Sequence, residues 1–218
     1  MQRHLIIGAS GGIGSAMAQA LPGEVVSLSR SSDGLDICDE PSIAHHLGRQ
    51  KGRFDTIIVT TGALVVNGAQ PEKTLRSVSP DAVIDQFRVN AIGPALILKH
   101  ALHLLYADRR SVFAALSARV GSIGDNHIGG WYSYRSAKAA LNQMIHTAAI
   151  ELSRTHKHTI AVCLHPGTVQ TPFTAAYAGR HKMTSPKNAA EQLISVIDNL
   201  SLQDSGKFLD YSGQEIAW

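Results

Sequence analysis

The chain has 218 residues, 44% hydrophobic and 17% charged, enough to bury one large core and too apolar for a disordered or fibrous protein. Its formal charge of +3 is spread without a basic block or an aromatic-interleaved stripe, which argues against nucleic acid as a partner. Two distant cysteines, Cys38 and Cys163, make neither a disulfide framework nor a zinc motif and suit a reducing cytoplasm, and no stretch approaches the ~18 apolar residues of a membrane span.

Residues 4–7 read as a first strand, and the apolar run there is too short for a signal segment. Gly8-Ala9-Ser10-Gly11-Gly12-Ile13-Gly14 follows directly and opens a helix over 12–21. Glycines in that place allow a tight turn and let backbone N–H groups approach a pyrophosphate at the positive helix end. Gly8, Ser10, Gly12, Ile13 and Gly14 are therefore candidate cofactor residues. A second strand spans 25–29. Its end decides between nicotinamide cofactors, because an acid there binds the ribose 2′-OH and repels a 2′-phosphate. Here the chain carries Arg30 among Ser29, Ser31 and Ser32, which favours NADP(H) over NAD(H). Residues 35–38 read as a short third strand, with Asp36 placed for the adenine amino group and Ile37 against the ring.

Thr56-Ile57-Ile58-Val59-Thr60 is continuous and β-branched, as a parallel strand covered on both faces should be. A long helical stretch follows over about 80–105, a strand over 111–116, and a long helix over 131–153. A strand spans 159–164, a helix capped by Ser185 spans 186–200, and 207–209 closes the sheet. Strand and helix alternate throughout without a linker. The pattern predicts a single α/β domain: a Rossmann-type, doubly wound parallel sheet in three layers, with its crevice beyond the carboxyl ends of the strands.

Tyr134-Arg135-Ser136-Ala137-Lys138 is the most informative pentad. Residues four apart share a helix face, so the Tyr134 hydroxyl and the Lys138 ammonium can enter one pocket. Nearby positive charge, from Lys138 and an oxidised nicotinamide, favours the tyrosinate and lowers the Tyr pKa, which equips the hydroxyl for general acid–base work. His45, His46, His156 and His158 lack partners at ligand spacing and read as surface residues. His165, just ahead of Pro166, reads as packed or hydrogen-bonded at the edge of the site.

Together with the glycine loop, these residues resemble the short-chain dehydrogenase/reductase family over nearly the whole chain, in particular its small carbonyl-reductase-like branch, which also holds cell–cell signalling factors. Val59-Thr60-Thr61-Gly62 stands where the family has Asn-Asn-Ala-Gly. Asn90 matches the residue that interrupts a helix and holds a water chain to the catalytic Lys. Pro166-Gly167-Thr168-Val169-Gln170-Thr171 matches the segment that grips the nicotinamide carboxamide. The resemblance implies Tyr134, Lys138 and Asn90 as catalytic residues. It implies Thr61, Gly62, Tyr134, Lys138, Pro166, Gly167, Val169 and Thr171 as cofactor contacts, with no metal. It further implies NADPH-dependent reduction of an aldehyde, ketone or quinone, a short lid over 172–187 bearing Phe173, Tyr177 and Met183, and leaves a homodimer or homotetramer open. The family's catalytic Ser falls on Ala118, with Ser117 and Ser122 as the neighbouring hydroxyls. That departure supports an alternative, an NADP(H)-binding sensor with little turnover.

Overall fold

The computed structural model describes residues 1–177 and 183–218, with the side chains of 175–177 outside the description. Six strands, β1 (Arg3–Ile7), β2 (Glu24–Leu28), β3 (Thr56–Val59), β4 (Ser111–Leu116), β5 (Thr159–His165) and β6 (Phe208–Asp210), form one sheet in the order β2-β1-β3-β4-β5-β6. Every pairing is parallel. β3 and β4 are buried along their whole length, which accounts for their unbroken apolar sequence.

Each face of the sheet carries its own core. On one side Leu5, Ile57, Phe113 and Cys163 pack with α3 (Glu40–Gly48), α5 (Gly93–Ala101) and α6 (Tyr132–Thr155). On the other, Ile6, Ile58 and Val162 pack with α1 (Gly12–Ala20) and α7 (Pro186–Asn199). These are the three layers expected from the strand–helix alternation. Strand order reverses between β1 and β3, so a crevice opens past their carboxyl ends. Ser185 caps α7 as expected, accepting from Asn188 N–H. Among the described residues no helix is long and apolar enough to cross a membrane.

One element departs from the sequence reading, and another is divided where the resemblance places its interruption. Residues 35–38 form a turn and not a strand. The Asp36 carboxylate accepts the Cys38 N–H at 2.8 Å and Ser42 Oγ accepts the Asp36 N–H at 3.1 Å, so the donors a ladder would need are already used. A short helix, α2 (Arg30–Asp33), and α3 surround this turn. The stretch 80–105 is three pieces: α4 (Pro80–Phe87), a π-helical turn at Arg88–Ile92, and α5 leading to a 3₁₀ turn at Leu102–Leu104. Pro94 has no N–H to give the Asn90 carbonyl, and the Gly93 N–H bonds Arg88 instead.

Candidate active site

The turn after β1 is held from below. Gly8 adopts φ +93, and Thr60 Oγ1 donates to the carbonyls of Ile7 at 3.0 Å and Gly8 at 3.1 Å. Gly14 lies so close over this turn that a Cβ would stand 2.4 Å from the Gly8 carbonyl oxygen. The N-cap of α1, Gly11, has no side chain to spend on the first N–H groups, and no acidic residue occupies the first turn. The helix therefore presents free donors and a positive end to an anion.

A cavity of about 340 Å³ begins at this helix end and runs between the tips of β3, β4 and β5. It brings together Ser10, Gly12, Ile13 and Gly14 with Thr61 and Gly62, with Tyr134 and Lys138, and with Pro166, Gly167, Val169 and Thr171. Gly8 supports the loop from beneath. The Thr61 hydroxyl is buried without a partner among the described residues, an orphaned polar atom in the cavity wall. An uncapped helix end, a glycine surface with no room for side chains and this orphaned donor fit a bound dinucleotide.

Tyr134 and Lys138 stand one turn apart on α6, 5% and 2% exposed. The Tyr134 ring is flanked by Trp131 and Phe173, with centroids at 6.3 Å and 6.0 Å. Lys138 Nζ donates to the Leu116 carbonyl at 2.9 Å and lies 6.0 Å from the Tyr134 ring centroid. Burial pushes the Tyr134 phenol up, and it pushes the Lys138 ammonium down to about 8. Desolvation is what moves the phenol in the protein by itself; the lowering expected from Lys138 together with the oxidised nicotinamide belongs to the cofactor-bound protein.

Asn90 is fully buried, and its side chain is committed. Its amide oxygen accepts Ala63 N–H at 3.1 Å, and its amide nitrogen donates to the Ala63 carbonyl at 2.8 Å and to Gln86 Oε1 at 2.7 Å. The side chain fixes the backbone at Ala63 and makes no hydrogen bond with Lys138. The backbone carbonyl released by Pro94 is what Asn90 has left to offer. Gln86, which also donates to the Leu64 carbonyl at 2.9 Å, carries no motif and was not anticipated.

The two neighbouring hydroxyls are differently placed: Ser117 lines the cavity beside Ala118, and Ser122 does not. Ser117 Oγ donates to Asn142 Oδ1 at 2.6 Å, inside the core of α6. Ser122 Oγ accepts the Asp125 N–H at 3.0 Å and is not part of the cavity wall. Ala118 itself lines the cavity with a methyl group. His165 lines it as well, packed at the edge of the site as the sequence reading allowed, and no described residue hydrogen-bonds its ring.

At the end of β2 the serines divide. Ser29 is buried and caps α2, accepting Ser32 N–H, while its own N–H goes to the Asp33 carboxylate at 2.8 Å. Arg30 stays exposed at the start of α2, beyond the cavity wall together with Asp36 and Ile37. Past β5, Gln170 N–H donates to Thr184 and Thr184 N–H to Thr168, both at 2.9 Å, so the chain on either side of residues 178–182 is joined. The Tyr177 side chain and residues 178–182 of the expected lid lie outside the described residues; Phe173 and Met183 lie within them.

One contributor was invisible in the sequence. Trp131, the N-cap of α6, adopts φ 53 and provides no side-chain cap. Glu72 reaches in from 61 residues away: its carboxylate accepts the Ser133 N–H at 3.2 Å and the Ser133 hydroxyl. Both residues are buried, so Glu72→Ala leaves two enclosed donors unpaired beside Tyr134. Urea unfolding is expected to show a loss of about 2 kcal/mol, with Glu72→Gln losing less because an acceptor remains.

A family model described as Enoyl-(Acyl carrier protein) reductase matches residues 34–198. The 1-hydroxy-2-glutathionyl-2-methyl-3-butene dehydrogenase of Rhodococcus sp. (strain AD45) is 29% identical over the full length of both chains. The C-signal protein of Myxococcus xanthus is 33% identical over 61% of this chain and 76% of its own. Among solved structures, the carbonyl reductase Sniffer of D. melanogaster superposes with a TM-score of 0.85 over all of both chains at 20% identity, a likeness of fold. A short-chain dehydrogenase/reductase from Burkholderia multivorans with bound NADP superposes with a TM-score of 0.80 at 26% identity, covering 100% of this chain and 99% of that one.

Proposed function

The chain belongs to the short-chain dehydrogenase/reductase family, and we propose that it reduces a carbonyl compound (an aldehyde, ketone or quinone) to an alcohol with NADPH. The observation that carries this reading is the meeting of Tyr134 and Lys138 with the open end of α1 in one cavity. The NADP in the Burkholderia multivorans relative supports the choice of cofactor, as does exposed Arg30 where an acid would select NAD(H). The Rhodococcus relative is named for a hydroxy compound that it dehydrogenates, the same couple run the other way.

In this reading the N–H groups of Gly12, Ile13 and Gly14 hold the pyrophosphate, and the Arg30 guanidinium takes the 2′-phosphate. The segment from Pro166 to Thr171 faces the nicotinamide, and residues 172–187 serve as a short lid. When bound, NADPH supplies the hydride. Tyr134 holds the proton for the substrate oxygen. Its raised pKa keeps that proton in place through the neutral range, ready for reduction and not for loss to water. The Lys138 ammonium stabilises the negative charge that Tyr134 acquires as it gives the proton up. Trp131 and Phe173 exclude water from the ring between them.

The test is the loss of NADPH absorbance with para-nitrobenzaldehyde and phenanthrenequinone, with NADH compared at equal concentration. Turnover that prefers NADPH is expected. Lys138 is charged below its depressed pKa of about 8 and neutral above it. The reduction rate is thus expected to be level on the acid side of that value and to fall with one proton on the alkaline side. A second reading, an NADP(H)-binding sensor, is favoured by the methyl at Ala118 and would be selected by tight NADPH binding without oxidation of either carbonyl.

A further inference from the structure

Carbonyl reduction at this site needs a second donor on the substrate oxygen besides Tyr134; the Ser117 hydroxyl, although it lines the cavity, donates to Asn142 Oδ1, and Ser122 lies outside the cavity wall. What remains at that tip comes from the neighbouring strand. β4 and β5 are paired through Leu116 and Leu164, and Ser117 N–H continues the ladder to the Leu164 carbonyl at 2.8 Å. The next residue of β5 is His165, which lines the cavity together with Ala118 and Tyr134.

The geometry of β5 against α6 sets the level of the ring. Cys163 lies in the electrostatic field of Lys138. His165 is two residues further along the same strand face, about 6.6 Å toward the carboxyl end. α6 runs the opposite way, so Tyr134, four residues before Lys138, lies about 6 Å in the same direction. His165 thus stands level with Tyr134 as Cys163 stands level with Lys138.

The ring is also prepared as a donor. Burial first, and Arg119 second, push the His165 imidazole down to about 4 against the opposing pull of Asp210, so it is neutral near pH 7. Nδ1 is enclosed without a partner among the described residues, whereas Nε2 is not enclosed. An enclosed bare lone pair costs less than an enclosed N–H with no acceptor, so the single proton belongs on Nε2.

We propose that His165 replaces the hydroxyl missing at Ala118, with its Nε2–H donating to the substrate carbonyl oxygen beside Tyr134. The proposal rests on the reading of the protein as a carbonyl reductase. His165 gives up no proton; it fixes the oxygen and stabilises the negative charge that gathers there as hydride reaches the carbon.

The experiment measures kcat and KM for para-nitrobenzaldehyde and phenanthrenequinone, and NADPH affinity by fluorescence, in the wild type, His165→Phe, His165→Gln and the double variant Ala118→Ser/His165→Phe. Phe keeps the ring and removes the donor. It is expected to lower kcat about 100-fold, the cost of one missing donor to an oxyanion, with NADPH affinity and KM held within about three-fold. Gln carries an amide N–H near the Nε2 position and is expected to stay within about ten-fold of the wild type. Ala118→Ser, which restores the hydroxyl, is expected to recover at least about ten-fold of the activity lost in His165→Phe. Wild-type kcat in His165→Phe with NADPH bound overturns the proposal. So does a Gln variant as slow as Phe with no rescue by Ala118→Ser, which assigns the ring to packing. A wild type that oxidises NADPH with neither probe overturns the reductase reading itself, and this proposal with it.

Discussion

Tyr134→Phe is expected to lower kcat by about a thousand-fold, within the range lost when a general acid is removed, while NADPH affinity changes less than about three-fold. The substitution takes away one oxygen and nothing else. The ring stays between Trp131 and Phe173, and none of the described residues holds its hydroxyl, so no packed or hydrogen-bonded contact is broken. Thermal unfolding should accordingly be unchanged within a degree or two. Stopped-flow NADPH oxidation together with fluorescence titration reads both quantities. A variant that turns over at the wild-type rate removes Tyr134 from the chemistry; one that loses NADPH makes it a binding residue.

Gly14→Ala is expected to weaken NADPH binding by at least about 100-fold and to cost about 3 kcal/mol of stability, at the upper end for overpacking. Its Cβ would meet the Gly8 carbonyl oxygen at 2.4 Å and Thr60 Oγ1 at 2.6 Å. Neither atom can retreat alone, since Thr60 Oγ1 holds that carbonyl and its neighbour. Relief therefore requires α1 to lift from the turn, which pulls the free N–H groups of Gly12 and Ile13 out of register with a pyrophosphate. Melting curves with and without NADPH separate the two effects: the wild type is stabilised by ligand and the variant is not. An unaltered ligand-induced shift would place the pyrophosphate elsewhere.

Much of this architecture was written in short-range pattern. β3 and β4 were legible because strands covered on both faces are apolar throughout, and α7 because Ser185 and Pro186 mark its start. The same rule misread residues 35–38, where Leu35 and Ile37 are buried like strand residues but the Asp36 side chain turns the chain. The break at Asn90 could have been found without any family pattern, since Pro94 stands four residues on. The tyrosine, the lysine and the glycine loop announced themselves by spacing. Glu72 did not, because its partner Ser133 is 61 residues away and nothing local marks either one. Nor could sequence show how Ser117 is engaged, since its partner Asn142 lies on a helix whose face toward β4 is set by packing. Desolvation is likewise a property of the folded chain, which is why the upward push on Tyr134 in the protein alone had no sign in the sequence.

The irregular connection from Ala63 to Glu72 is fastened at both ends, to Asn90 and Gln86 at one and to the first turn of α6 at the other. It therefore acts as a splint between the two helices that carry Asn90 and Tyr134. Although it lacks secondary structure over most of its length, it belongs to the same cooperative unit as α6. Hydrogen exchange is therefore expected to release the amide protons of Ala63 and Ser133, far apart in the chain, in one opening event, and a disturbance of this loop is expected to loosen the catalytic helix.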